Sequence, residues 1–151
     1  MSAGDLYGEF ENLDVTRSVT VNGGVRGATI HGGAALTVNG AFAGRLVVED
    51  DAVLSVNGAF EPGDVSNDGV IMVAGVTGVA FSQLDDMGTF AVAVGSLVEH
   101  SKVVHEDGSL ESFVRGGDLT VDSNRLCIWV SEQRRFVPQA QMQADIEAGQ
   151  R

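Results

Sequence analysis

The sequence predicts an all-β protein: a single-stranded β-helix (β-solenoid) of about 17–18 residues per turn, closed by a C-terminal strand and short-helix cap. Three observations carry this. Nearly the same seven residues recur, "VTVNGGV" from Val19, "LTVNGAF" from Leu36, "LSVNGAF" from Leu54 and "IMVAGVT" from Ile71, with starts 17, 18 and 17 residues apart. Within each copy an apolar residue precedes a valine by two positions, the period of a strand with one buried face. Asn-Gly then recurs at one place, where a corner needs a positive φ that glycine takes freely and asparagine tolerates.

A 17–18 residue period is too short for a helix pair or a propeller blade and suits one solenoid turn of three short strands. No such turn can bury its inner face alone. Stacking the turns about 4.8 Å apart puts Val21, Val38, Val56 and Val73 in one column and Val25, Phe42 and Phe60 in another. The apolar face continues through Leu46 and Val48 in one copy and Val65 in the next, and Asn22, Asn39 and Asn57 are placed to form a side-chain ladder.

At 151 residues the chain reads as a single domain, 1–151, large enough for a core without staples. Residues 1–18 are expected as an N-terminal cap and 19–81 as the regular turns. Residues 82–117 are expected as degenerate turns: "FAVAV" at 90–94, "SLVEHSKVVHEDG" at 96–108 and "SLESFV" at 109–114, with glycines as corners. Residues 118–151 are the expected C-terminal cap. There "DLTVDSNRLCIWVSEQRRFV" reads as two or three strands, with Leu126, Ile128 and Val130 on one face and Cys127 and Trp129 on the other. Both faces are apolar, so that strand is expected to be covered on both sides. Pro138 and "QAQMQADIEAG" read as a short final helix stopped by Gly149.

Composition narrows the partners. A formal net charge of −12, with Lys102 the single lysine, disfavours nucleic acid and anionic lipid, which need a basic footprint. The lone Cys127 offers no disulfide framework, which points to a reducing compartment. "MSAGDLYGEFENLD" has neither the basic start nor the apolar run of a signal peptide, and the apolar stretch Gly69 to Phe81 is too short for a membrane span. A cytoplasmic location is expected.

The run from Val19 to Gly75 resembles bactofilins, bacterial cytoskeletal proteins that are right-handed β-helices and polymerise. The likeness lies in the cadence of apolar residue, gap, glycine, apolar residue, glycine, over a little more than a third of the chain. It implies a polymer-forming scaffold. The remainder departs from that family, whose proteins typically continue regular turns and end in flexible tails.

Candidate chemistry centres on histidines. "HSKVVHEDG" places His100 and His105 five residues apart and resembles the H-x4-H-G stretch of γ-class carbonic anhydrases, left-handed β-helices with a three-histidine zinc site. That likeness implies a third ligand about two turns upstream, where the chain reads "EPGDVSNDG" without histidine. His31 lies roughly four turns away by the period found here, so neither a metal nor a cofactor is expected. Other signals read as structure. "GGVRG" at 23–27 lacks the Lys-Ser/Thr of a phosphate loop. Glu49, Asp50 and Asp51, and the pair Asp85 and Asp86, read as solvated turns. Cys127 lacks a base close in sequence, Trp129 reads as core, and Arg134 and Arg135 read as guards of a strand edge. No catalytic residue is assigned.

The leading expectation is therefore a non-enzymatic β-solenoid scaffold or binding protein, bactofilin-like, whose partner is itself or a basic protein. The alternative is an acidic immunity-type protein that neutralises a basic bacterial toxin domain through electrostatic steering. A metal-dependent β-helix enzyme is the third reading. A polymer-former should leave an end of the solenoid open, whereas the strands around Trp129 and the final helix favour closure.

Overall fold

The computed structural model of the protein describes residues 5–79, 89–99, 101–112, 121–130, 132–133 and 135–139. Eleven strands follow in chain order among these residues: β1 (Asp5–Val15), β2 (Val19–Ile30), β3 (Ala35–Val48), β4 (Val53–Asn67), β5 (Val70–Thr77), β6 (Thr89–Val94), β7 (Leu97–Val98), β8 (Lys102–Val104), β9 (Leu110–Ser112), β10 (Asp122–Val130) and β11 (Arg135–Pro138). They make one sheet in the order β1-β2-β3-β4-β5-β6-β10-β11, with β7, β8 and β9 branching from β5. The chain is a β-solenoid, as its repeat requires.

Each coil is one long bent strand rather than three separate ones, and successive coils from β1 to β5 pair in parallel. The first bend falls on glycine because the neighbouring coil leaves room for nothing else. Gly23, Gly40, Gly58 and Gly75 have φ between +143 and +153, and a Cβ on any of them would collide with the carbonyl oxygen of the preceding coil's glycine, beginning with Gly8. A second bend at Gly27 and Gly44, with φ of +91 and +84, coincides with the points where the register shifts.

The inner columns are those that the repeat implies. Val21 pairs with Val38, Val38 with Val56 and Val56 with Val73, while Val25, Phe42 and Phe60 stack beside them. All are buried, and Phe42 and Phe60 are fully enclosed. Their rings lie 5.8 Å apart, and Phe90, which pairs with Ile71 in the neighbouring column, brings its ring to 6.2 Å from that of Phe60. Leu46 is buried and Val65 packs against the core from a partly exposed position. On the outer face Asn39 Nδ2 donates to Asn22 Oδ1 at 3.0 Å, and Asn57 Nδ2 to Asn39 Oδ1 at 2.9 Å. Where polar residues enter the columns they are satisfied: Asn67 Nδ2 donates to Thr89 O at 3.2 Å, and Thr77 Oγ1 donates to Phe60 O at 2.9 Å.

The two ends differ from expectation. Residues 1–18 read as a cap, yet Asp5–Val15 is itself a coil, with Leu6, Gly8 and Phe10 beneath Val21, Gly23 and Val25. Residues 90–94 form a regular rung, β6, parallel to β5. β7 still lies parallel to β5, Leu97 pairing with Val76, but β8 and β9 leave the coil by turning back as a small antiparallel meander. β10 then runs antiparallel along β6, and β11 antiparallel along β10. Cys127 and Trp129 are buried, Trp129 edge-on to Phe136 at 5.2 Å. Leu126, Ile128 and Val130 are half-buried, so the strand expected to be covered on both sides is sealed on one and partly open on the other. Pro138 is the last residue of β11 and Gln139, directly after it, is helical; the rest of the expected helix, along with residues 80–88, His100, 113–120 and Arg134, lies outside the described residues.

Phe60→Ala should cost about 3–5 kcal/mol in urea unfolding, as truncation of a large enclosed side chain does. Glycine substitutions test the stacking separately. Gly58→Ala should destabilise far more than Gly33→Ala, because Gly33 also has positive φ but open space where a Cβ would go.

Candidate functional site

Among the described residues no three His, Cys, Asp or Glu side chains converge as a metal would need. His105 Nε2 lies 2.7 Å from Glu111 Oε2 on an exposed surface, while His100, the other half of the proposed pair, is outside the described residues. Cys127 is buried, its Sγ 3.7 Å from the His105 carbonyl, and burial pushes its thiol pKa up, away from the reactive thiolate. Arg135 Nη2 donates to the Asp107 carbonyl at 3.3 Å, tying β11 to the turn before β9. Asp50 and Asp51 form a turn, with Asp51 at φ +67 and Ala52 N donating to the Glu49 carbonyl at 3.0 Å. The pair Asp85 and Asp86 lies outside the described residues.

His31 does more than its sequence context suggested. Its backbone N–H continues the ladder to Val15 O at 2.9 Å, which places the ring at the corner between three coils. Nε2 meets Asp14 Oδ1 at 2.6 Å and Nδ1 meets Glu49 Oε1 at 3.3 Å, while Gly32 N donates to the same Glu49 oxygen at 3.1 Å. Only the protonated ring donates through both nitrogens. The hydrogen bond to Asp14, with the charge of Asp14 and then the hydrogen bond and charge of Glu49 adding to it, raises the His31 pKa above its ordinary value, although partial desolvation opposes it. Asp14 belongs to β1, so this corner clamps the terminal coil to the stack. A shallow groove of about 290 Å³ opens beside it, next to Asn12, Asp14 and Arg45.

The broadest uncommitted feature is the terminal coil. β1 pairs with β2 along one edge, and among the described residues nothing pairs with its other edge. Leu6, Phe10 and Leu13 face inward beneath Val21, Val25 and Ala28 but are only partly buried, and among the described residues no further coil lies below them. Tyr7, at 73% exposure, stands on the outer face of the same strand. The opposite end is different in kind: β6 is covered by antiparallel β10, and the last edge, β11, is four residues long and ends in proline. Sequence reasoning missed the coil at 5–15, although Leu6, Gly8 and Phe10 carry its signal fifteen residues before Val21, Gly23 and Val25.

The His31 corner predicts a pH dependence with a definite sign. A raised folded-state pKa adds stability that is fully present below the ordinary value of 6.5 and is lost as pH rises through the higher folded value. Unfolding measured from about pH 6 to about pH 9 should show this loss in the wild type and a flatter profile in His31→Gln. A wild-type profile as flat as the variant's would remove the clamp.

No protein-family model matches the chain, and neither a curated protein nor a solved structure is detectably similar to it.

Proposed function

We propose that the protein is a non-enzymatic β-solenoid scaffold, bactofilin-like in role, that works by associating with a second copy of itself through its terminal coil. The observation that carries this reading is the inequality of the two ends. An eleven-residue strand edge with a half-exposed apolar row, Leu6, Phe10 and Leu13, is left at one end, while antiparallel strands occupy the other. An unpaired edge is a template for strand addition. Because, among the described residues, only that end offers a long template, two chains meeting edge to edge about a twofold axis satisfy each other and leave nothing to propagate. The expected product is a closed pair of chains rather than a filament. Glu9, Glu11 and Asp14 are exposed on the same strand, so like charges oppose the pairing and added salt should strengthen it.

Light scattering over a concentration series tests this directly. The wild-type chain should pass from one-chain to two-chain particles, more readily with salt, and Phe10→Lys should hold it at one chain without unfolding it. Long filaments would overturn the closed pair. A wild-type chain that stays single at all concentrations and binds a basic protein one to one would instead favour the immunity-type alternative.

A further inference from the structure

The outer face of the first straight arm of the coils carries a pattern that self-association does not use. In β2 to β5 and the residue before β2, the outward positions ahead of the corner glycine are Ser18, Thr20 and Asn22; Ala35, Thr37 and Asn39; Val53, Ser55 and Asn57; and Val70, Met72 and Ala74. None is charged, in a chain with 30 Asp, Glu, Lys and Arg residues and a net charge of −12. The pairing along these arms runs without a register shift, so the face is a regular grid, with one row spaced by coils and the other by residue pairs. Tyr7 of β1 pairs with Asn22, which puts its exposed ring at the end of the asparagine column; the exposed acids Asp51 and Asp68 stand at the margin, in the turns just before Val53 and Val70.

We infer that this face binds a neutral polyhydroxylated chain, an uncharged oligosaccharide lying along the solenoid axis. Its amides are set to meet hydroxyls. Each ladder bond uses one N–H of one asparagine and one lone pair of the next, whereas a carboxamide has two of each, so the three coils that carry Asn22, Asn39 and Asn57 each present a spare donor and a spare acceptor. Threonine and serine hydroxyls flank them at Thr20, Thr37 and Ser55. The coil spacing of about 4.8 Å is comparable to the length of one sugar ring, so consecutive rings meet consecutive coils. Tyr7 gives an apolar ring face with a polar tip, suited to stacking on the C–H face of a pyranose.

Size and charge decide against the other occupants. Four coil spacings of about 4.8 Å by five residues of about 3.3 Å make roughly 300 Å². A stable protein interface needs about 800 Å² from each partner. Nucleic acids, anionic glycans and basic peptides find no opposite charge on this grid, so a thin neutral chain is what it fits.

Two linear neutral hexasaccharides, cellohexaose and its N-acetylglucosamine counterpart, are titrated into the full-length protein while backbone and side-chain amide resonances are followed. At least one should bind saturably in the millimolar range or tighter, with shifts concentrated on Tyr7 and on the side-chain amides of Asn22, Asn39 and Asn57. Tyr7→Ala and Thr37→Glu should each weaken binding about tenfold or more, Tyr7→Phe should retain it, and unchanged thermal unfolding shows that the grid survives. Loss of shifts with both sugars, shifts centred elsewhere, or concentration-dependent shifts on this face without sugar would overturn the inference, the last by assigning the face to a second copy. Because Phe10→Lys leaves the grid intact, binding measured in that variant separates this result from the self-association reading.

Discussion

Five glycines, Gly8, Gly23, Gly40, Gly58 and Gly75, stand one above another at the first corner of the coils β1 to β5, and above Gly8 the stack has no room for a side chain there. Each of the upper four would drive a Cβ into the carbonyl oxygen below it. The rung spacing of a parallel sheet thus meets its tightest limit at this column, and the rest of the coil follows from it. A corner at a fixed place brings Val38 over Val21 and Phe42 over Val25, and it aligns the three ladder asparagines closely enough to exchange amide hydrogen bonds. Each such bond adds roughly 1 kcal/mol at best. The enclosed valines and phenylalanines therefore supply most of the stabilisation, while the glycines and asparagines fix which residues meet.

A parallel stack has the same problem at both ends, since its last coil leaves backbone groups and an apolar interior uncovered. This chain resolves the two ends differently. At the end of β5 the columns change chemistry: Thr77 replaces phenylalanine and turns its hydroxyl to the Phe60 carbonyl, while the Ser96 Oγ accepts from Gly75 N at 3.1 Å. These bonds end the regular ladder without leaving a buried polar atom unsatisfied among the described residues. The chain then lays β10 across β6 in the opposite direction, with Trp129 and Phe136 closing the interior. At β1 no comparable replacement occurs. Charged residues at Glu9 and Glu11 moderate that edge without covering it.

The same geometry separates the chain's surfaces by purpose. Acids collect at the corners and on β1, where His31 bridges Asp14 and Glu49 across coils. The arm before the corner glycines is free of charge over four coils. A long-range negative field and a locally neutral grid can coexist because side chains on adjacent arms of a coil point in different directions, and the grid spacing is set by the backbone.

The sequence by itself determined the solenoid, its period, the buried columns and the asparagine ladder. In-register parallel stacking makes equivalent residues neighbours, so a repeated word becomes a contact: Val38 on Val56 and Asn39 on Asn57 are spelled out eighteen residues apart. Whatever depends on unlike residues meeting was not legible. The coil at 5–15, worded "DLYGEFENLDV", keeps of the repeat only Leu6, Gly8 and Phe10 and lacks its Asn-Gly, so its place beneath β2 was missed. The antiparallel seat of β10 on β6 joins segments that share no pattern, because antiparallel pairing matches residues by position across a bulge and not by repetition. The His31 corner brings together Asp14 and Glu49, 17 and 18 residues away in opposite directions, through side-chain reach that no spacing encodes. Only the tertiary structure decided which end of the stack is left open, since an edge is open or closed by what lies beside it in space.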